Sequence, residues 1–202
     1  MLKINPKDLS QKETHKILSG TIAPRPVAFV TTLNLDKTIN GAPFSFFSIL
    51  TPNPPLISLS VLREDNKMKD TAINIIREKE FVVHVMTQEN VEKFNMAAAR
   101  LPYGISEIDL ANLTPINSTN IKTPGVKEGS VRFEVLLESH LELGDNGIIS
   151  ADFFIGRVSL IHLREDIYQN TYINYENLKP IGRLAGNKFV KVIDLYSLDR
   201  PK

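Results

Sequence analysis

Ser45-Phe-Phe-Ser-Ile-Leu-Thr-Pro-Asn-Pro-Pro-Leu-Ile-Ser-Leu-Ser-Val-Leu-Arg63, followed closely by Lys67-Met-Lys-Asp-Thr71, reads as strand, proline turn, strand, basic loop and helix start. Pro52-Asn-Pro-Pro55 forces a sharp turn, because proline fixes φ and cannot donate to a ladder. Leu56 to Leu62 alternates apolar and hydroxyl residues, as a strand with one apolar face does. Asp70 is placed to cap a helix from Thr71 to about Lys79, with Ile73, Ile76 and Ala72 turned inward. Strand backbone could hydrogen-bond a ring system. A basic loop with a helix N-terminus suits a phosphate. The segment therefore fits a phosphorylated, planar, aromatic ligand.

Working outward, Ser10 and Glu13 form a capping-box pattern for a short helix over 10–19, with Gly20 as its stop. Pro24-Arg-Pro26 leads into an extended run, Val27 to Leu33. Asn34 to Thr38 reads as a hairpin turn, and Ile39 to Leu50 as one extended run with Gly41 and Pro43 at bulge or edge positions. Strict alternation along that run places Phe44 and Phe46 on one face and Phe47 on the other. Phe81 to Met86 is β-branched and aromatic, hence a buried strand. Glu89 to Arg100 is helical, with Val91, Phe94 and Ala97 or Ala98 on one side. Leu101 to Gly129 reads as a long surface excursion. Val131–Leu143 and Ala151–Leu163 pair through Gly144-Asp-Asn-Gly147, a strong turn signal, and Lys188 to Leu195 returns as a strand. About seven strands follow one another through turns, with two or three helices between them. That order predicts a mainly β fold with helical insertions, an antiparallel barrel rather than a doubly wound sheet.

The 202 residues suit one domain over 1–202, and 42% hydrophobic content suffices for a core. A net charge of +1 gives no broad field for nucleic acid or an acidic membrane surface. The absence of Cys excludes disulfides, thiolate metal sites and cysteine nucleophiles. No run has the length of a signal peptide or a membrane span, so a soluble cytoplasmic protein is expected. No GxGxxG follows a strand, no P-loop and no HExxH occurs, and the four His lack metal-ligand spacing. His84, among valines in mid-strand, reads as a core or barrel-face histidine. Ser45 and Ser48 read as hydrogen-bond donors rather than nucleophiles, since no base lies near them.

Several motifs in order carry a resemblance. They are Pro24-Arg-Pro-Val-Ala-Phe-Val-Thr-Thr, Asn40-Gly-Ala-Pro-Phe-Ser-Phe-Phe-Ser, the Asn53-Pro-Pro turn, Lys69-Asp-Thr-x-x-Asn-Ile75, Glu80-Phe-Val-Val, and Arg183-Leu-Ala-Gly186. Over about residues 20–190 the chain resembles the flavin reductase-like, FMN-binding split-barrel proteins. The resemblance implies a split β-barrel of Greek-key character, a homodimer, and FMN near the dimer interface. It places Ser45, Phe46, Phe47 and Ser48 beside the isoalloxazine ring, with Ser60, Val61 and Arg63 towards the ring edge and ribityl chain. Lys69 and Thr71 fall on the phosphate side. Arg25 is either half of a structural ion pair or a flavin contact. Two departures stand out: Ala185 where the family often has Gly, and His84 where it commonly has Asn.

A flavin brings its own redox chemistry, so a chain without triad or metal cluster can still be an oxidoreductase. The leading expectation is an NADH- or NADPH-dependent, FMN-containing flavin reductase that passes electrons to a second acceptor or partner protein. The alternative is an FMN-binding electron carrier, flavoredoxin-like, without nicotinamide turnover and served by a redox partner.

Overall fold

The computed structural model describes residues 1–99 and 106–201. Among the described residues the strands are β1 Ala28–Leu33, β2 Ile39–Phe44, β3 Phe47–Pro52, β4 Pro55–Leu62, β5 Glu80–Val85, β6 Pro115–Ile116, β7 Gly125–Val126, β8 Val131–Asp145, β9 Ile148–Leu163, β10 Tyr168–Gln169, β11 Tyr172–Ile173, β12 Ile181–Arg183 and β13 Phe189–Lys191. The α-helices are α1 Gln11–Thr21, α2 Asp70–Glu78, α3 Val91–Met96, α4 Glu107–Leu110 and α5 Tyr175–Leu178. Seven strands form one antiparallel sheet in the order β2-β1-β5-β8-β9-β4-β3.

That order dictates a curled sheet. β2 and β3 stand at opposite edges, yet only Ser45 and Phe46 join them. In a flat sheet the edges of seven strands lie roughly 29 Å apart at about 4.8 Å per spacing. A two-residue link spans only about 10 Å. The sheet must therefore roll until its edges approach, leaving a barrel split at β2/β3. Register shifts in the long β8–β9 ladder, at Glu134/Val135, Leu137/Ser139 and Leu143/Gly144, provide the bending. The Asn146 and Gly147 φ values of 51° and 78° give that hairpin the two-residue turn its sequence signals.

The apolar interior of the barrel is built from Ala28, Val30, Leu59, Val61, Phe81, Val83, Val135 and Phe154, and is plugged by Ala72 and Ile75 of α2. A second core lies outside β1 and β5, where Phe29, Met86, Phe94, Ile108, Leu113 and Val126 meet. Phe29 and Phe94 stack at 4.1 Å. All six residues of β1 are buried because both of its faces are covered.

Several expectations are corrected. α1 carries the expected capping box but runs through Gly20 to Thr21, with Ile22 as its C-cap. The N-cap of α2 is Lys69, and Asp70 sits in the first turn, where its charge complements the helix dipole. Ile73 is 43% exposed, while Thr71, Ala72, Asn74 and Ile75 face inward. The 39–50 run is broken at Ser45-Phe46, which resets the alternation: Phe44 and Phe47 pack on the barrel core and Phe46 turns away. α3 is shorter than expected, though Phe94 and Ala97 are buried on one face with Val91 packed beside them. Residues 100–105, onto which the expected helix end and the expected start of the excursion fall, lie outside the described residues. The rest of the excursion is no mere surface loop, because Ile108, Ala111, Leu113, Ile121, Thr123 and Val126 are all buried. The tail contributes only Phe189–Lys191, paired with β12. Among the described residues no helix is long and apolar enough to cross a membrane.

Candidate functional site

The split of the barrel opens into a cleft of two adjoining lobes. The larger, of about 750 Å³, lies between the end of β4, the 63–69 loop, the start of α2 and α4. The smaller, of about 390 Å³, lies between α1, the Arg25 turn, the Ser45-Phe46 link and the Arg183–Gly186 turn. Pro43 and Lys69 line both.

A polar network sets the floor of the larger lobe. Buried Asn40 donates from Nδ2 to Thr32 Oγ1 (3.0 Å) and Thr71 Oγ1 (2.9 Å). Asn74 Nδ2 donates to Thr32 Oγ1 (3.0 Å) and Asn34 Oδ1 (2.8 Å). These bonds pin the first turn of α2 to β1 and β2, which explains the Asn40 and Lys69-Asp-Thr-x-x-Asn motifs structurally. The helix start itself is open. Lys69 makes no side-chain cap, and Ala72 and Ile73 N–H both donate to Lys69 O. Among the described residues no acceptor faces the N–H groups of Asp70 and Thr71. Two free donors, the helix dipole and the exposed Lys69 ammonium thus meet at one wall, a combination that suits an oxyanion.

The end of β4 supplies a second kind of open group. Ser60 N–H donates to Phe46 O (2.8 Å), the last bond on the β3 side, and Arg63 N–H turns to Ser150 O (2.9 Å). Strand alternation therefore leaves the Leu62 backbone groups facing the larger lobe, beyond the first residue of β3. This wall also carries carboxylates. Glu107 faces Asp70 from α4, and burial, then the Asp70 charge, push its carboxyl up.

The expected site residues divide. Arg25, Ser45, Phe46, Arg63, Lys69 and Thr71 line the cleft. Phe47, Ser48, Ser60 and Val61 do not: Val61 and Phe47 belong to the barrel core, and Ser48 is exposed on β3. Arg63 is engaged elsewhere. Its Nε and Nη2 form a fork on buried Asp152 at 2.9 and 2.8 Å, and Nη2 also meets Glu142 at 2.5 Å. His140 Nε2 shares Asp152 at 3.0 Å. Among the described residues Arg25 has no carboxylate partner, so the ion-pair reading is not met there. Its Nη1 donates to Ser19 O (2.5 Å) and Ile22 O (2.6 Å), and Nη2 to Leu184 O (3.1 Å). It staples the end of α1 to the Arg183 turn, with its guanidinium 5.9 Å from the Phe46 ring centre. Sequence reasoning missed His15, Asn95 and Phe189 in the smaller lobe, and Glu107 in the larger. Arg183, Leu184 and Gly186, which also line the smaller lobe, had a signal as part of a motif. Ala185 in that motif faces Gly20 of α1, where a β-carbon would meet its own at 3.7 Å, so two small residues meet across the turn. Gly186 keeps the positive φ of 64°.

Comparison with known proteins accords with this architecture. The flavin reductase like domain model matches residues 20–180. The chain is 46% identical to the uncharacterized protein YwrF of Bacillus subtilis over 196 residues, 96% of each chain. The crystal structure of nitrilotriacetate monooxygenase component B from Bacillus cereus superposes with a TM-score of 0.96 at 46% identity, covering 98% of both chains. That of 2-nitrobenzoate 2-nitroreductase NbaA from Pseudomonas fluorescens superposes with a TM-score of 0.89 at 25% identity, covering 99% of this chain and 96% of the other. The flavoredoxin of Desulfovibrio vulgaris (Miyazaki F) shares the fold, with a TM-score of 0.75 at 18% identity over 87% of this chain and 90% of that one. The chain belongs to the flavin reductase-like family of split-barrel proteins.

Proposed function

We propose that this family member binds FMN in the split of its barrel and works as an NAD(P)H-dependent flavin reductase. The observation that carries the reading is the uncapped start of α2, where Lys69 and the Asp70 and Thr71 N–H groups converge on the larger lobe. Those groups would hold the phosphate. The open Leu62 edge and Ser45 would offer hydrogen bonds to the ring, and Phe46 an apolar wall, held in place by the bond from Ser60 N–H to its carbonyl. Phe47, Ser48 and Val61 would act through the backbone and packing of β3 and β4 rather than by side-chain contact. Arg63, anchored on Asp152, would keep the β4 end in place, and Arg25 would hold α1 over the ring.

FMN held by Lys69 and the Asp70 and Thr71 N–H groups would supply the hydride and electron chemistry. The chain's own part is to bind, orient and exclude water. The Leu62 N–H at the β4 edge would favour negative charge on a bound ring without any proton transfer by a side chain. Similarity to one component of a monooxygenase supports electron delivery to a separate partner protein in the cytoplasm. Exposed Ile49 and Leu50 on β3, with Leu141, Leu143 and Ile148 on the β8–β9 hairpin, support a homodimer that covers these apolar residues.

The test is the visible spectrum of the FMN-loaded protein under anaerobic titration with NADH and with NADPH. Bleaching by either is the expected result. A spectrum that stays oxidised with both, yet is bleached by a small iron–sulfur donor, overturns the reductase reading in favour of an electron carrier. Failure to retain FMN removes the flavin site altogether.

A further inference from the structure

The smaller lobe has a charge pattern that the proposed FMN site uses only at Lys69, the residue shared by both lobes, and at Arg25, which holds α1. Four cationic or protonatable side chains converge on it from four separate places: His15 of α1, Arg25 before β1, Lys69 before α2, and Arg183 at the end of β12. Among the described residues no carboxylate lines this lobe, whereas Glu64, Asp65, Asp70 and Glu107 line the larger one. Elsewhere in the molecule arginines face carboxylates: Arg63 on Asp152, Arg157 on Glu138 and Arg164 on Asp166.

The two arginines are forced together by the backbone. Arg25 and Arg183 sit opposite one another in an antiparallel bridge, Arg25 N–H to Arg183 O at 3.0 Å and Arg183 N–H to Arg25 O at 2.8 Å. Residues directly opposed in such a pair point to the same face, and like charges there repel. Arg25 spends its donors on three carbonyls of the scaffold and on the Ser45 hydroxyl. Arg183 is only half-buried, donates to Gly186 O, and lies 4.4 Å over the Phe189 ring, which fixes its plane. Burial first, then the Arg25 charge, push its pKa down, the signature of a cation lacking its counter-charge. A half-buried guanidinium with free donors, a like charge beside it and aromatic walls on Phe46 and Phe189 is complementary to an oxyanion on a small planar molecule.

We infer that the smaller lobe binds the oxyanion, carboxylate or phosphate, of the second redox substrate, with Arg183 as its principal contact and Arg25 as the positioning residue. The anion site stands on its own geometry. Only the assignment of its ligand as a redox substrate rests on the flavin reading, since the lobe adjoins the larger one across Pro43 and Lys69.

The experiment is calorimetric titration of the protein, with and without FMN, using sodium benzoate, NAD⁺, NADP⁺ and inorganic phosphate at constant ionic strength. FMN affinity is measured separately by fluorescence quenching. Benzoate or a dinucleotide is expected to bind, and Arg183→Gln to weaken it by about tenfold or more, the scale of a charged hydrogen bond, with FMN affinity unchanged. Binding of benzoate alone assigns the lobe to a carboxylated acceptor, and binding of a dinucleotide alone to the hydride donor. No binding at millimolar concentration, or equal binding by the variant, overturns the site. Inorganic phosphate binding as tightly as both organic probes overturns the second-substrate assignment. If Arg183→Gln unfolds, His15→Glu on the exposed side of α1 decides. It places a carboxylate at the lobe and must weaken anion binding about tenfold, and unchanged binding overturns the proposal. Anion binding by a protein that does not take up FMN would separate failure of the flavin reading from failure of this one.

Discussion

At the scale of single residues, His84 illustrates how burial decides a role. The ring lies between Phe29 O (3.0 Å from Nδ1) and Val126 N–H, which donates to Nε2 at 2.9 Å. It lines neither lobe, so the departure from the family's common Asn bears on packing rather than on ligand contact. Burial, offset by the Phe29 bond, pushes the ring's pKa down to about 3 from 6.5. The folded value is depressed, so stability is complete above pH 6.5 and is lost as pH falls from there towards 3. His84→Asn should remove this slope from the pH dependence of urea unfolding, at some cost in stability at pH 7. A slope that persists between pH 6 and 4 would show that His84 does not carry it. Lys69 and Arg63 make a second contrast. Lys69→Ala should weaken FMN by roughly tenfold, one charged hydrogen bond of about 1.5 kcal/mol, and leave the thermal midpoint alone. Arg63→Ala strands buried Asp152, so it should lower the thermal midpoint as well as FMN affinity. Unchanged FMN affinity in both variants would remove the phosphate site.

Among the elements, the segment from Pro115 to Val126 is stapled to the barrel by two carboxylates. Glu134 accepts N–H bonds from Thr119 (2.7 Å) and Asn120 (2.6 Å) and meets His162 Nε2 at 2.6 Å. Glu80 accepts from the N–H groups of Lys122 (2.8 Å) and Thr123 (2.7 Å). Burial pushes the Glu134 carboxyl up, but the two backbone donors and His162 outweigh it, so its pKa lies below the usual 4.5. With the folded value depressed, this stability is present above pH 4.5 and lost as pH falls through the folded value. Acidification through that folded value should therefore release the segment, and amide exchange at Thr119 and Asn120 should rise there before global unfolding. Glu134→Gln should make Lys122 cleavable at pH 7, and equal resistance to trypsin in both proteins would refute the staple.

For the molecule as a whole, one topological fact organises the rest. The two-residue Ser45-Phe46 link joins opposite edges of a seven-stranded sheet, so the sheet closes and the split falls beside those residues. The candidate site lies there because the strand edges and the α2 start are left open at that split. The apolar residues left exposed on β3 and on the β8–β9 hairpin belong to this scale too. Sedimentation at micromolar concentration should show a dimer, and Leu141→Glu with Ile148→Glu should shift it to monomer. A wild-type protein that sediments only as monomer would end the dimer reading.

Much of this was legible in the chain because it is local. The capping box of α1, the Asn146-Gly147 turn, the buried β5 and the antiparallel order of strands all follow from spacing and turn chemistry within a few residues. The run of motifs identified the family, which the comparison with known proteins bears out. What sequence could not reach depends on distant partners. Alternation failed at Phe46 because barrel closure breaks the strand there. The expected inward face of α2 missed Ile75 because the plug position is set by β-strands far along the chain. Arg63 and Arg25 find Asp152, Ser19 and Leu184 only once the sheet has curled, and no local pattern announces such pairs. Short-range sterics and periodicity fix the elements. Sheet closure alone brings residues from 15 to 189 around one cleft and sets their charges against one another.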